Sequence, residues 1–121
     1  MAPEVIAAPT RIPVPGGKVI DEYVGRVTTG EAAVSVAHMR APAGWAEPAQ
    51  TPAFDEVTLV LEGSVVVEHD GGSVEVTAGQ AVVTRAGERV RYLAGPAGAA
   101  YVAVCLPAFA PDLAHRDPED A

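Results

Sequence analysis

Glu56 is the side chain whose sequence surroundings point most directly to chemistry. It opens an alternating run, Glu56-Val57-Thr58-Leu59-Val60-Leu61, that closes on Glu62-Gly63. In a strand, Glu56, Thr58 and Val60 share one face, and Val60 marks that face as the interior. An interior carboxylate is costly to ionise, so its pKa should rise. That is the environment of a general acid or base, with Thr58 beside it as a polar contact for a ligand. The competing reading is a Glu satisfied by Tyr or Arg neighbours, with no chemistry.

His38 is the second candidate. On the run Ala33–Arg40, the residues Val34, Val36, His38 and Arg40 fall on one face. The two valines mark that face as apolar, which would turn His38 inward as a catalytic partner; a lone His on an apolar face is more often a satisfied core residue. Arg40 would hold a carboxylate or enolate through two parallel hydrogen bonds, against the alternative of a salt bridge to one of sixteen acidic residues. Trp45, in the loop before Glu56, would lid the interior or bury at a subunit contact. Cys105, at the end of a Val-rich run, reads as a small core hydrophobe; no His or Asp pairs with it at a nucleophile's spacing.

The elements that must position these residues are short strands. Residues 1–17 hold four prolines and form an arm, with an edge strand at Arg11 to Val14. Lys18 to Val27, interrupted at Gly25, and Ala33 to Arg40 follow. Glu56 to Leu61 and Ser64 to His69 predict a hairpin turning at Glu62-Gly63. Asp70-Gly71-Gly72 predicts the next turn, then come Ser73 to Thr77, Ala81 to Thr84 and Val90 to Leu93. Gly95-Pro96-Ala97-Gly98 predicts another turn before Ala100 to Leu106. Helical periodicity is almost absent, so the chain reads as a sandwich or barrel over residues 18–107. Residues 108–121 are a tail or a short helix, with Phe109 folded onto the barrel and the polar end, His115-Arg116-Asp117, in solvent.

Bulk properties narrow the partners. A chain of 121 residues is one domain by size. Its formal charge of -8 would repel a phosphate backbone, which argues against nucleic acid. A single cysteine allows no internal disulfide, and a reducing, cytoplasmic setting is the simplest reading. The first residues lack the basic segment of a secretory signal. No apolar run approaches the roughly 20 residues that span a bilayer, so no membrane partner is expected. The proline-rich arm and an exposed strand edge lead us to expect a homodimer.

Glu56 followed seven positions later by Gly63 resembles the first motif of the cupins, preceded here by Pro42-Ala43-Gly44. The second cupin motif is matched by Gly79 and Gly87, with Arg85 where proline is usual. The likeness covers roughly Val34 to Leu106. It implies an all-β fold, an antiparallel double-stranded β-helix or jelly-roll barrel, with Glu56 inside. The wording Phe54-Asp55-Glu56-Val57 through Val60-Leu61-Glu62-Gly63 is also similar to the cupins of ethanolamine-utilisation operons. In this alignment the metal-binding histidines of the superfamily are replaced by Gln50, Pro52 and Val90. The remaining histidines are His38, His69 at a hairpin end, and His115 in the tail. The resemblance therefore implies no metal and no other cofactor. Tyr92 shares strand parity with Val90, so it would point into the cavity and orient or protonate a substrate, or else serve as a core aromatic with a wetted tip. Gln50 would hydrogen-bond a ligand at the cavity mouth.

Three functions remain open on this reading. The first is a metal-independent small-molecule enzyme, an isomerase, cyclase, dehydratase or epimerase, with Glu56 as base and Tyr92, His38 or Arg40 as donor to the developing enolate; the non-metal cupins include sugar epimerases. The second is a non-catalytic ligand-binding or accessory cupin. The third is a metal-dependent dioxygenase or lyase with an atypical ligand set.

Overall fold

Two strands run straight through positions where the sequence predicts chain reversals. In the computed structural model, which describes residues 2–118, the elements are β1 (Thr10–Ile12), β2 (Val19–Val24), β3 (Ser35–Ala41), β4 (Asp55–His69), β5 (Gly72–Thr77), β6 (Ala81–Thr84), β7 (Val90–Leu106) and a short helix α1 (Pro111–Ala114). Met1 of the expected arm and residues 119–121 of the expected tail lie outside the described residues. The hairpin predicted at Glu62-Gly63 is absent, because β4 continues through it. The turn predicted at Gly95–Gly98 is likewise the middle of β7.

Both errors have one physical cause. Strands β4 and β7 pair antiparallel along their length, with register shifts between Val60 and Glu62 and between Gly63 and Val65. Gly63 pairs Ala99 while Val65 pairs Ala94, so residues 95–98 bulge opposite Ser64. A bulge needs the same left-handed glycine as a tight turn, and Gly63 has φ 70°. A Cβ on Gly63 would collide with the carbonyl oxygen of Gly98. The glycines thus report a bend in a continuing ladder.

That bend builds the barrel. The first half of β4 lies between β6 and the second half of β7; its second half lies between β5 and the first half of β7. The sheet order is β1-β2-β3-β7-β4-β5, with β6 on β4, and every pairing is antiparallel. Strands kinked this way pass from one sheet to the facing one, and the result is an all-β jelly-roll barrel. The arm contributes β1, paired to β2 of its own chain.

Two apolar clusters fill the interior. One joins Val60, Val65, Val67, Val76, Val90, Tyr92 and Tyr101. The other joins Phe54, Cys105 and Ala114, with Phe109 and Leu113 packed against it; Phe54 and Phe109 meet edge-to-face at 5.8 Å. Helix α1 brings Leu113 and Ala114 into that second cluster.

Strand β3 faces the opposite way from the sequence expectation. Ser35, Ala37 and Ala41 are buried, opposite Cys105, Ala103 and Ala99 on β7. Residues directly opposite in an antiparallel pair share a face, so His38 and Arg40 point outward. The outer face is itself apolar, with Leu59, Leu61, Val83 and Leu106 all over 40% exposed. Valine on β3 therefore could not tell inside from outside.

Candidate functional site

Between the two apolar clusters lies a cavity of about 250 Å³. Beside Glu22 of β2 and Ser35 of β3, its polar lining comes from five separate segments. Strand β4 supplies Glu56, and β7 supplies Tyr92, Tyr101 and Cys105. Lys18 enters just before β2, and Glu47 and Gln50 come from the β3–β4 loop. Arg116 arrives from the tail. Ile12, Pro13 and Val14 of the arm add apolar wall.

The β3–β4 loop is held from both sides although Pro48 and Pro52 remove two of its backbone donors. On the barrel side, Gln50 and Val90 exchange N–H···O bonds of 2.8 and 2.9 Å. On the other side, Thr51 N–H donates to His115 O at 3.2 Å, Ala53 N–H to Leu113 O at 2.8 Å and Asp117 N–H to Ala49 O at 2.8 Å. The tail is thus a strap across the loop, and it delivers Arg116 to the cavity rather than leaving it in solvent. Arg116 lies 3.6 Å from the Glu47 carboxylate and donates to Gln50 Oε1 at 3.4 Å.

Glu56 has few partners for a carboxylate so far from bulk water. One oxygen accepts the Thr58 hydroxyl at 3.1 Å, and the other accepts the Cys105 thiol at 3.7 Å. The residue keeps partial exposure toward the cavity it lines. Burial, reinforced by the charge of Glu47, pushes its pKa up to about 7 against the pull of Lys18 and its two hydrogen bonds. Burial also raises the Glu47 carboxyl, which Lys18 and Arg116 oppose. The hydroxyls of Tyr92 and Tyr101 and the Cys105 thiol are pushed up, chiefly by burial, and stay protonated at neutral pH. Cys105 is accordingly a donor here and not a thiolate nucleophile.

Lys18 is the most unusual of these groups. Its ammonium sits 4.2 Å from the centre of the Trp45 ring and 5.6 Å from that of Tyr101. Burial lowers its pKa, while Glu47 and Glu56 favour the cation.

Of the residues singled out from sequence, the structure brings Glu56, Tyr92 and Gln50 to the cavity. Tyr92 shares a 2.8 Å hydrogen bond with Thr84, so its hydroxyl is already engaged. Thr58 is fully buried and acts on Glu56 rather than on the cavity space. Trp45 forms no lid; it packs against the larger cluster with Lys18 over its ring. His38 and Arg40 are corrections: both lie on the outer face of β3, near Asp21 across the sheet, and neither reaches Glu56. Lys18, Glu47, Tyr101 and Arg116 are missing from the sequence reading. Lys18 and Tyr101 carried a signal, since Lys18 shares strand parity with Ile20 and Tyr101 with Ala103 and Cys105, all lining residues. Glu47 sits in a proline-rich loop and Arg116 in the tail, so nothing local marks either.

The site does not fit the cupin metal. Gln50 offers one neutral oxygen, already accepting from Arg116; Pro52 and Val90 are buried and offer no donor atom. His69 Nδ1 accepts the N–H of Gly71 at its hairpin end, and His115 caps α1 in a left-handed conformation. Among the described residues, no three His, Cys, Asp or Glu side chains gather to hold an ion.

Residues 9–120 match the AraC-binding-like domain. The chain belongs to that family, and it is a cupin. Over 107 residues this cupin is 46% identical to the protein named endoribonuclease YbeY of Myxococcus xanthus, covering 88% of this chain but only 36% of that protein. Its fold is similar to ethanolamine utilization protein Q of Salmonella typhimurium, with a TM-score of 0.65 at 22% identity over 76% of this chain and 71% of that one. It is also similar to an RmlC-like cupin from Shewanella frigidimarina, with a TM-score of 0.70 at 17% identity over 83% of this chain and 85% of that one. At these identities the two solved structures speak to the cupin fold alone. Among the described residues, no helix is long and apolar enough to cross a membrane.

Proposed function

We propose that this cupin takes a small molecule into the barrel and moves a proton on it through Glu56, without a metal. The observation that carries this is the state of Glu56, whose pKa of about 7 faces the cavity with only a hydroxyl and a thiol as partners. Such a carboxyl exchanges between acid and base near neutral pH, which proton transfer in both directions requires. The reaction class is isomerisation, epimerisation, cyclisation or dehydration at a carbon beside a carbonyl. Glu56 takes the carbon-bound proton. The charge that develops on the carbonyl oxygen meets protonated donors on the same cavity wall, Tyr101 and Lys18.

The test is solvent exchange. A panel of small 2-oxo and 2-hydroxy carbonyl compounds is incubated with protein in deuterium oxide and followed by proton NMR. Loss of one carbon-bound proton signal in at least one compound, abolished in Glu56→Gln, is the expected result. Exchange at an undiminished rate in that variant would remove Glu56 from the chemistry.

A second reading, a ligand-binding domain without turnover, is favoured by one observation. The matched segment is about a third of the Myxococcus protein, so there it is part of a longer chain. A formal charge of -8 supplies no attraction to a phosphate backbone, so neither reading includes ribonuclease action here. Compounds that bind the wild type with no exchange on any of them would select this second reading.

A further inference from the structure

Lys18 is a cation without a direct anionic partner. Among the described residues, no carboxylate lies within ion-pair distance of its ammonium and no hydrogen-bond acceptor is in reach. Trp45 and Tyr101 stabilise its charge through their ring faces but accept none of its three N–H groups in the way an oxygen does. Its side chain lines the cavity, and no fully enclosed polar side-chain atom lacks a partner. The ammonium is therefore open toward the cavity, with donors to spare.

The remaining charges show what would complete it. Arg116 is already committed to Glu47 and Gln50. Glu56 is bound by Thr58 and Cys105 rather than by Lys18. A protonated donor, Tyr101, stands beside Lys18 on the same wall. One unmatched cation beside one hydroxyl suits a single carboxylate. Among the described residues, a dianion would face Glu22, Glu47 and Glu56 in a cavity of about 250 Å³ with one free cation to answer it. That volume is below the roughly 300–1,000 Å³ of drug-sized pockets, so the ligand is small.

We propose that the ligand of this cavity is a small organic monocarboxylate, its carboxylate seated on Lys18 and its reacting carbon turned toward Glu56. The proposal rests on the cavity being the ligand site, as the proposed function has it, but not on the proton chemistry. The carboxylate completes the hydrogen bonds of the cavity-facing ammonium. The rest of the molecule packs against Ile12, Val14 and Met39.

Trp45 is the sole tryptophan, and Lys18 lies on its ring, so its fluorescence reports occupancy. Pyruvate, lactate and glycolate are titrated into the wild-type protein, each against its own primary amide, with calorimetry as the second readout. At least one acid should bind saturably, with its amide ~10-fold weaker or worse. Lys18→Met should weaken that acid ~10- to 100-fold, the range for a lost hydrogen bond to a charged group, and Lys18→Arg should restore part of it. The acid–amide comparison needs no variant, so it decides the matter even if Lys18→Met fails to fold. Equal affinity for acid and amide, unchanged affinity in a folded Lys18→Met, or no binding by any of the acids would overturn the proposal. Lys18-dependent acid binding without Glu56-dependent exchange keeps the anion site and removes the proton chemistry. Exchange confined to neutral carbonyl compounds does the reverse.

Discussion

Glu22 and Glu56 are two carboxylates withdrawn from water in the same barrel, and they are treated in opposite ways. Glu22, on β2 and 6% exposed, accepts the backbone N–H groups of Val27 at 3.2 Å and Thr28 at 2.8 Å, together with the Thr28 hydroxyl at 2.8 Å. It ties down the loop after β2, and Gly25 is pressed so close that a Cβ there would meet its carboxylate. Glu56 receives one hydroxyl and one long thiol contact, and no backbone donor among the described residues. Burial by itself thus does not distinguish a functional acid from a structural one. The inventory of donors does, because a carboxylate supplied with donors holds structure while one left short of them stays free to change protonation.

Substituting each acid by its amide separates the two most widely. Glu56→Gln should fold normally and lower turnover by ~10²- to 10⁴-fold, the usual contribution of a general acid or base. Glu22→Gln should act instead on stability. If the Glu56 variant unfolds readily while the folded fraction keeps its rate of deuterium exchange, the contrast is broken and Glu56 is structural.

The pH dependence of stability sharpens the same contrast. Burial pushes the pKa of Glu56 in the fold up to about 7, against 4.5 for an unperturbed glutamate. Below the lower value both folded and unfolded chains carry the proton, and the protonated form suits the buried site. As pH rises between the two values the unfolded chain releases its proton first, so stability falls across that window and levels off above about 7. The loss is on the order of 3 kcal/mol. Denaturant midpoints measured across this range should fall for wild type and fall less steeply for Glu56→Gln, in which Glu47, also raised by burial, still contributes. An equally steep decline in the variant would assign the slope to other groups.

Glu22→Gln should cost about 2 kcal/mol at neutral pH, because an amide cannot serve two backbone N–H groups and a hydroxyl as a carboxylate does. Urea denaturation would read it, and protection of the Val27 and Thr28 amides from hydrogen exchange should drop together. The baseline is Glu68, paired with Arg91 at 3.3 Å in solvent. Glu68→Gln should change stability by less than about 1 kcal/mol, and a larger loss would blur the distinction between buried and exposed acids.

The alternation of β4 was readable in the sequence because Glu56, Thr58 and Val60 contrast with their neighbours, and the structure turns all three inward. The glycines were readable as places where the backbone needs positive φ, but a turn and a bulge make the same demand at Gly63 and Gly98. Only pairing of β4 with β7 along their length selects the bulge, and pairing partners are a long-range property. Strand β3 fails for a different reason: with apolar residues on both faces, periodicity shows that sides exist without saying which is inside. That is why His38 was placed in the cavity and lies outside it. Lys18, Glu47 and Arg116 are brought together by the β1–β2 approach, a proline-interrupted loop and a tail that straps it, and no local pattern encodes their meeting. Local sequence determined the strand character and the inward carboxylate, because each depends on residue type and near neighbours. The charge around that carboxylate was decided by the tertiary structure, since it depends on which distant segments close over the barrel.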